Sequence, residues 1–125
     1  MATIIRFEDI VSWKEARELN KIIGTMIDQK RFKINFRLIN QIEGSAGSIM
    51  DNIAEGFERS GNKEFVHFLF MAKGSAGELR AQLYVAVDLK YIGESEFAIL
   101  SESSESIARQ LSAFIKYLQR ANGKT

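Results

Sequence analysis

Apolar side chains recur along this chain at intervals of three and four, the period of a helix with one buried face, and polar or glycine-bearing breaks divide them into four runs. From about Phe7 to Asp28, Ala16, Leu19, Ile23, Met26 and Ile27 share one face, with Lys14, Arg17, Glu18 and Lys21 opposite. The stretch Gln29 to Asn35 interrupts the period. Asn35 is placed to cap a second helix, because its side-chain oxygen can accept a free backbone N–H. That helix runs to about Phe57 on the core row Ile39, Ile42, Ala46, Ile49 and Ile53. Ser60-Gly61-Asn62 supplies the next turn, and the row Phe65, Leu69, Ala72, Ala76, Leu79, Leu83 and Ala86 then continues for about seven turns. Gly93 is expected to stop this third helix and Ser95 to cap a fourth, with the row Phe97, Leu100, Ser104, Ile107, Leu111, Phe114 and Leu118. Short connections make neighbours antiparallel, so the expected fold is an all-α, up-and-down four-helix bundle, one domain over residues 1–125.

Two departures from simple amphipathicity change this picture. The tetrapeptide Gly-Ser-Ala-Gly occurs at Gly44 to Gly47 and again at Gly74 to Gly77, inside helices where each glycine costs up to about 1 kcal/mol against alanine. Folding about the Ser60-Gly61 turn brings the two copies opposite each other, so they are expected to let the backbones approach closely, and leucine at Ala46 or Ala76 to destabilise the fold. The run Phe65 to Ala72 is apolar around nearly the whole circumference, leaving one side without an intrachain partner. Burial of that side against further copies of the chain is expected, giving a homo-oligomer.

Composition narrows the function classes. Proline is absent, in keeping with an all-helical domain, and the absence of cysteine excludes disulfides, thiol nucleophiles and cysteine-ligated zinc. No apolar run approaches the roughly 18 residues of a membrane span, and Met1 to Arg6 lacks the apolar stretch of a signal peptide, so a cytoplasmic location without membrane association is expected. Net charge is only +1, so attraction to nucleic acid would have to come from local patches.

Catalytic patterns are weak. The one histidine, His67, follows Glu64 at the Glu-x-x-His spacing of di-iron bundles, but those need two such motifs and further inward glutamates; an interface or core histidine is expected instead. Gly56 to Lys63 looks superficially like a phosphate loop, yet Asn62 interrupts the Gly-Lys pair and no strand precedes it. No Ser-His-acid group can be assembled around a histidine in so apolar a run. The expectation is a protein without catalytic residues, metal or cofactor. Gln41, Ser45, Ser48, Asn52, Glu55 and Arg59 form a polar row on helix two, readable as a solvated face, a hydrogen-bonded network between helices or subunits, or a ligand site. Gln41, Asn52, Glu55 and Arg59, with Phe65, Phe68 and Phe70, are the candidates for an oligomer interface or polar network. Basic residues gather as Lys30, Arg31, Lys33 and Arg37 and, on helix one, as Lys14, Arg17 and Lys21; both sets are candidate phosphate contacts. Arg109, Lys116, Arg120 and Lys124 make the end of helix four basic, which also suits its dipole.

The residues Gln41-Ile42, Ser48-Ile49, Asn52-Ile53-Ala54-Glu55-Gly56, Arg59, Phe65, Phe68-Leu69, Ala72, Gly74-Ser75 and Glu78-Leu79 resemble a bacterial family. With Phe7, Trp13 and Ala16 before them and Tyr91-Ile92 after, the chain is similar to the four-helix-bundle proteins described from intervening sequences of large-subunit ribosomal RNA genes. That resemblance implies a homopentamer of antiparallel bundles, with relatives that include the accessory protein of diversity-generating retroelements, which works with a reverse transcriptase and RNA. Two departures from the family pattern stand out: Glu43 and Gly44 occupy places where a pair of arginines is common, and Met50 one where proline is common. The expected function is a non-catalytic oligomeric scaffold binding RNA or DNA through its basic patches. The alternative is an adaptor that recruits a protein such as a reverse transcriptase.

Overall fold

The computed structural model describes residues 4–123, so Lys124 and the first three residues of the leading segment lie outside the described residues. Four α-helices follow one another: α1 (Val11–Asp28), α2 (Phe36–Glu58), α3 (Asn62–Asp88) and α4 (Glu94–Gly123). Each packs against its neighbours in the ring α1–α2–α3–α4, and the described residues contain no strand. A 3-10 turn, Phe7–Asp9, precedes α1, so the helical period read back to Phe7 is broken at Ile10, whose φ of −74° and ψ of 123° are extended.

The core is built from the inward rows as expected, with local changes of register. Ala16, Leu19, Ile23 and Met26 of α1 are buried, as are Ile42, Ala46, Ile49 and Ile53 of α2 and the complete row Phe65 to Ala86 of α3. Leu38 rather than Ile39 fills the first core position of α2, and Ile115 fills a position on α4 where Phe114 only edges the core. A core fixed by four helices selects whichever of two adjacent apolar residues points inward, which periodicity alone leaves open by one step.

The two Gly-Ser-Ala-Gly segments behave differently from the expectation. Ala46, Ala76, Ser45 and Ser75 are buried, and Ser75 Oγ donates to Ser48 Oγ at 2.9 Å, tying α3 to α2. The glycines do not make the close approach: a methyl group at Gly44, Gly47, Gly74 or Gly77 would meet nothing within 4 Å. The glycine that does need its missing Cβ is Gly56, where the added carbon would sit 2.6 Å from Phe68 Cβ and 3.0 Å from Phe65 Cδ1. A second polar tie crosses from α1: Asn20 Nδ2 donates to the Ala46 carbonyl at 2.7 Å and to its own helix at Ala16.

The bundle's two ends close by different means. At the α2–α3 end, Gly61 takes a φ of 97° and ψ of 144°, a conformation that favours glycine strongly. At the other end α1 and α3 finish in the same way. Lys30 (φ 63°) and Lys90 (φ 64°) each turn left-handed just beyond the helix; their N–H groups bond back to Ile27 and Val87, and those of Arg31 and Tyr91 to Met26 and Ala86. The segments match: Ile27-Asp28-Gln29-Lys30-Arg31-Phe32 and Val87-Asp88-Leu89-Lys90-Tyr91-Ile92, with Phe32 and Ile92 buried as plugs. Helix α3 therefore stops at Asp88, and Gly93 lies before the next helix instead of after the last. Its N–H donates to Glu96 Oε1 at 2.9 Å and its carbonyl accepts from Phe97, so Glu96, and not Ser95, performs the capping of α4.

Candidate functional site

The α1–α2 and α3–α4 loops face each other at this second end and enclose an open cleft of about 620 Å³, lined by Lys30, Arg31, Lys33, Lys90, Tyr91 and Glu94 among others. Its walls are set by packing beneath. The Phe32 ring meets Tyr91 edge-on at 6.2 Å, and Asn35, which also caps α2 by accepting from the Leu38 N–H at 3.1 Å, lies 3.5 Å from the Tyr91 hydroxyl. Arg31 Nη2 donates to Glu96 Oε1 at 2.5 Å, linking the two loops across 65 positions of sequence. The Arg31 guanidinium, helped by the Gly93 N–H, holds the Glu96 carboxyl below its ordinary range.

The first group of candidate basic residues is therefore brought together only in part. Lys30 and Lys33 line the cleft with exposed side chains, whereas Arg31 is half-buried and neutralised by Glu96. Arg37 is exposed on the first turn of α2, beside Phe36, which is 66% exposed, and Ile34, 82% exposed. Lys14, Arg17 and Lys21 form a separate exposed row on α1, where the Arg17 guanidinium lies 6.0 Å from the Trp13 ring and Lys21 sits 3.5 Å from Glu18. Lys90 was not among the sequence candidates because Gly93 drew the end of α3 too far along. The repeated apolar-Asp-x-Lys-x-apolar pattern at the ends of α1 and α3 is the signal that marks it.

The polar row of α2 is divided. Ser45 is buried, Asn52 donates to the Ser48 carbonyl and hydroxyl at 2.9 Å, and Ser48 takes the bond from Ser75, so this part is a network between helices of one chain. Gln41 is exposed, and Glu55 pairs with Arg59 at 3.0 Å on the surface. Of the aromatic candidates for a subunit contact, Phe65 is instead buried in the chain's own core, stacked edge-on between Phe57 and Phe114, because it lies on the same row as Leu69 and Ala72. Phe68 is half-buried against Gly56 and under the Arg59 guanidinium, 5.1 Å away. Phe70 is exposed, and with Met71, Tyr84, Val85 and Leu89 it leaves α3 an apolar outward side. His67 is exposed rather than in the core, edge-on to Phe68, and Glu64 lies 3.6 Å from Arg59. Among the described residues no three His, Cys, Asp or Glu side chains gather as a metal site, and no helix is long and apolar enough to cross a membrane.

The sequence profile of the 23S rRNA-intervening sequence protein family matches residues 8–113, which includes all of the first three helices, both cleft loops and most of the fourth helix. The chain belongs to that family. Its fold is shared with a protein of unknown function from the S23 ribosomal protein family of Bacteroides thetaiotaomicron VPI-5482, at a TM-score of 0.79 and 23% identity, covering 85% of this chain and 99% of that one. No curated protein matches the chain in sequence. Family membership fixes the bundle and leaves its chemistry to be argued from the side chains.

Proposed function

We propose that this family member is a non-catalytic, cytoplasmic scaffold that binds nucleic acid at the end of the bundle carrying the Lys30 and Lys90 loops. The observation that carries this reading is the gathering of cations from two loops far apart in sequence around one cleft, in a chain whose net charge is only +1. Local positive charge is what phosphate neutralisation requires. Exposed Phe36, set between Lys33 and Arg37, adds a ring on which an unpaired base can stack. The Lys14, Arg17 and Lys21 row offers a second strip of phosphate contacts. Because the family is named for an intervening sequence of 23S rRNA, RNA is the first nucleic acid to test.

The scaffold is proposed to be a homo-oligomeric ring, with the pentamer as the leading assembly. Support comes from the apolar outward side of α3 and from the glycines at 44, 47, 74 and 77, whose helix cost no contact within the chain offsets. The same α3 side favours one competing reading, an adaptor that holds a protein partner such as a reverse transcriptase and leaves nucleic acid to it.

The test is a fluorescence titration of the protein against a structured RNA and a matched DNA duplex, each at two salt concentrations, with sedimentation in parallel. Binding that weakens steeply with salt is expected, together with a mass of several chains. No binding to either nucleic acid at low salt would overturn the reading and leave the adaptor in front; sedimentation at the mass of one chain would remove the ring.

A further inference from the structure

Among the described residues, every non-glycine residue with a positive φ is a lysine: Lys30 at 63°, Lys33 at 58° and Lys90 at 64°. All three line the same cleft. A left-handed backbone disfavours any residue with a Cβ, and glycine is the common occupant just beyond a helix end. Glycine stands at none of the three places, and lysine stands at all of them, so the recurrent choice calls for a reason beyond the backbone.

Compensation of helix dipoles, open to Lys30 and Lys90 as the cations nearest two helix ends, does not by itself require the left-handed position. A cation anywhere in the last turn of α1 or α3 would serve the dipole without a left-handed backbone, and neither last turn contains one. Lys33, moreover, lies between helices and terminates none. Nor are these lysines held for ion pairs, since none of the three makes one among the described residues, whereas Arg31 beside them is taken by Glu96. The basic groove between α3 and α4 is different: its Arg80 and Arg109 lie 3.4 and 2.8 Å from Glu105 and Glu102. Among the described residues, the end cleft gathers three lysines that make no ion pair, with Glu94 as the one acid of its lining.

We propose that this cleft is a phosphate site, that Lys30, Lys33 and Lys90 occupy left-handed positions so that their ammonium groups converge from two loops on one phosphodiester segment of a bound RNA, and that the Arg31–Glu96 pair ties the loops at a fixed spacing for it. This rests on the nucleic-acid reading above and assigns the backbone contact within it. Lysine suits the task because an ammonium is a compact point charge that meets a phosphate from any direction.

The test substitutes glycine at all three positions, which removes charge while giving the backbone the residue it favours. The Lys30→Gly, Lys33→Gly, Lys90→Gly protein is expected to melt no lower than the parent. Its affinity for a structured RNA should fall at least about tenfold at low salt, with the plot of log K against log salt shallower by about 2, the share of three lost contacts at about 0.7 each. Arginine at the same three positions should keep the affinity within about twofold. Affinity and salt slope unchanged in the glycine variant, with loss confined to a Lys14→Ala, Arg17→Ala, Lys21→Ala protein, would overturn the cleft assignment while leaving RNA binding in place. Release of RNA by inorganic phosphate, but not by chloride at equal ionic strength, would assign the cleft to a free anion and overturn the backbone contact. A parent protein that binds neither RNA nor DNA would overturn this proposal together with the function it rests on.

Discussion

The two ends of the bundle solve the same problem with opposite residues. At the α2–α3 turn the backbone leaves the right-handed region at Gly61, and the neighbouring helices close over Gly56; at both places the side chain is absent because conformation or space forbids one. At the other end the backbone is again left-handed, three times, and each time a long charged side chain is kept. The first end is organised for packing, with Phe57, Phe65 and Phe114 in edge contact. The second trades local stability for charge, since a left-handed residue with a Cβ costs about 1–2 kcal/mol. A positive φ is therefore met by glycine at one end, where ψ is 144°, and by lysine at the other, where on our proposal the charge is what is kept.

The sharpest break of the comparison is Gly56→Ala. Its new carbon collides with Phe68 Cβ, close to the backbone, so α2 and α3 must separate; overpacking of about 3 kcal/mol, less up to about 1 regained in helix propensity, leaves a loss of about 2 kcal/mol. Thermal melting should fall by roughly 6–10 °C, and an unchanged midpoint would show that the helices are not held that closely. Next is Gly61→Ala, expected to cost about 1–2 kcal/mol in chemical denaturation, because a φ of 97° strains any side chain. Lys30→Gly or Lys90→Gly should move stability the other way. Relief of about 1–2 kcal/mol of backbone strain is partly offset by the freer unfolded chain, leaving a gain of about 0.5–1 kcal/mol in the same assay. A loss there would mean that those lysines stabilise the fold and would erase the contrast between the ends.

The smallest effect is that of pH on the Arg31–Glu96 link. Glu96 has a folded pKa below its unfolded one, so its contribution is complete above the unfolded value and is lost as pH falls through the lower, folded value. Stability of the parent should decline slightly more than that of a Glu96→Gln protein over that acid window. Parallel declines would show that the pair contributes nothing in solution.

Helix number, the all-α class and the α3 core row were legible because burial on one face imposes a period that Leu69, Ala72, Ala76, Leu79 and Leu83 keep without interruption. The Asn35 cap was legible for a similar reason, being decided by atoms within three residues. What escaped depends on partners distant in sequence or on two residue types sharing a conformation. Glycine is the usual left-handed residue, so Gly93 reads as a helix stop in the sequence, while Lys90 performs that role three residues earlier. Arg31 reads as a free cation in the sequence, because its acid stands 65 positions away. Phe65 stands on the α3 core row and Phe70 does not, so within one apolar run the period already separates core from surface.

The Asn20, Glu15, Ser106 and Gln110 contacts bear on how the chain reaches this structure. Helices α2 to α4 are joined by two short hairpins, whereas the ring is closed at the α1–α4 seam, where Glu15 accepts from Ser106 and Gln110, 91 and 95 positions away. Contacts between sequence neighbours form with little loop entropy, so the α2–α3–α4 layer is the natural folding nucleus and the Glu15 clasp the final event. Glu15→Ala should accordingly speed unfolding and leave the refolding rate nearly untouched, a φ-value near zero, while a slowed refolding arm would place α1 in the transition state. Of the four helices, the first in chain order would then be the last to be locked in place.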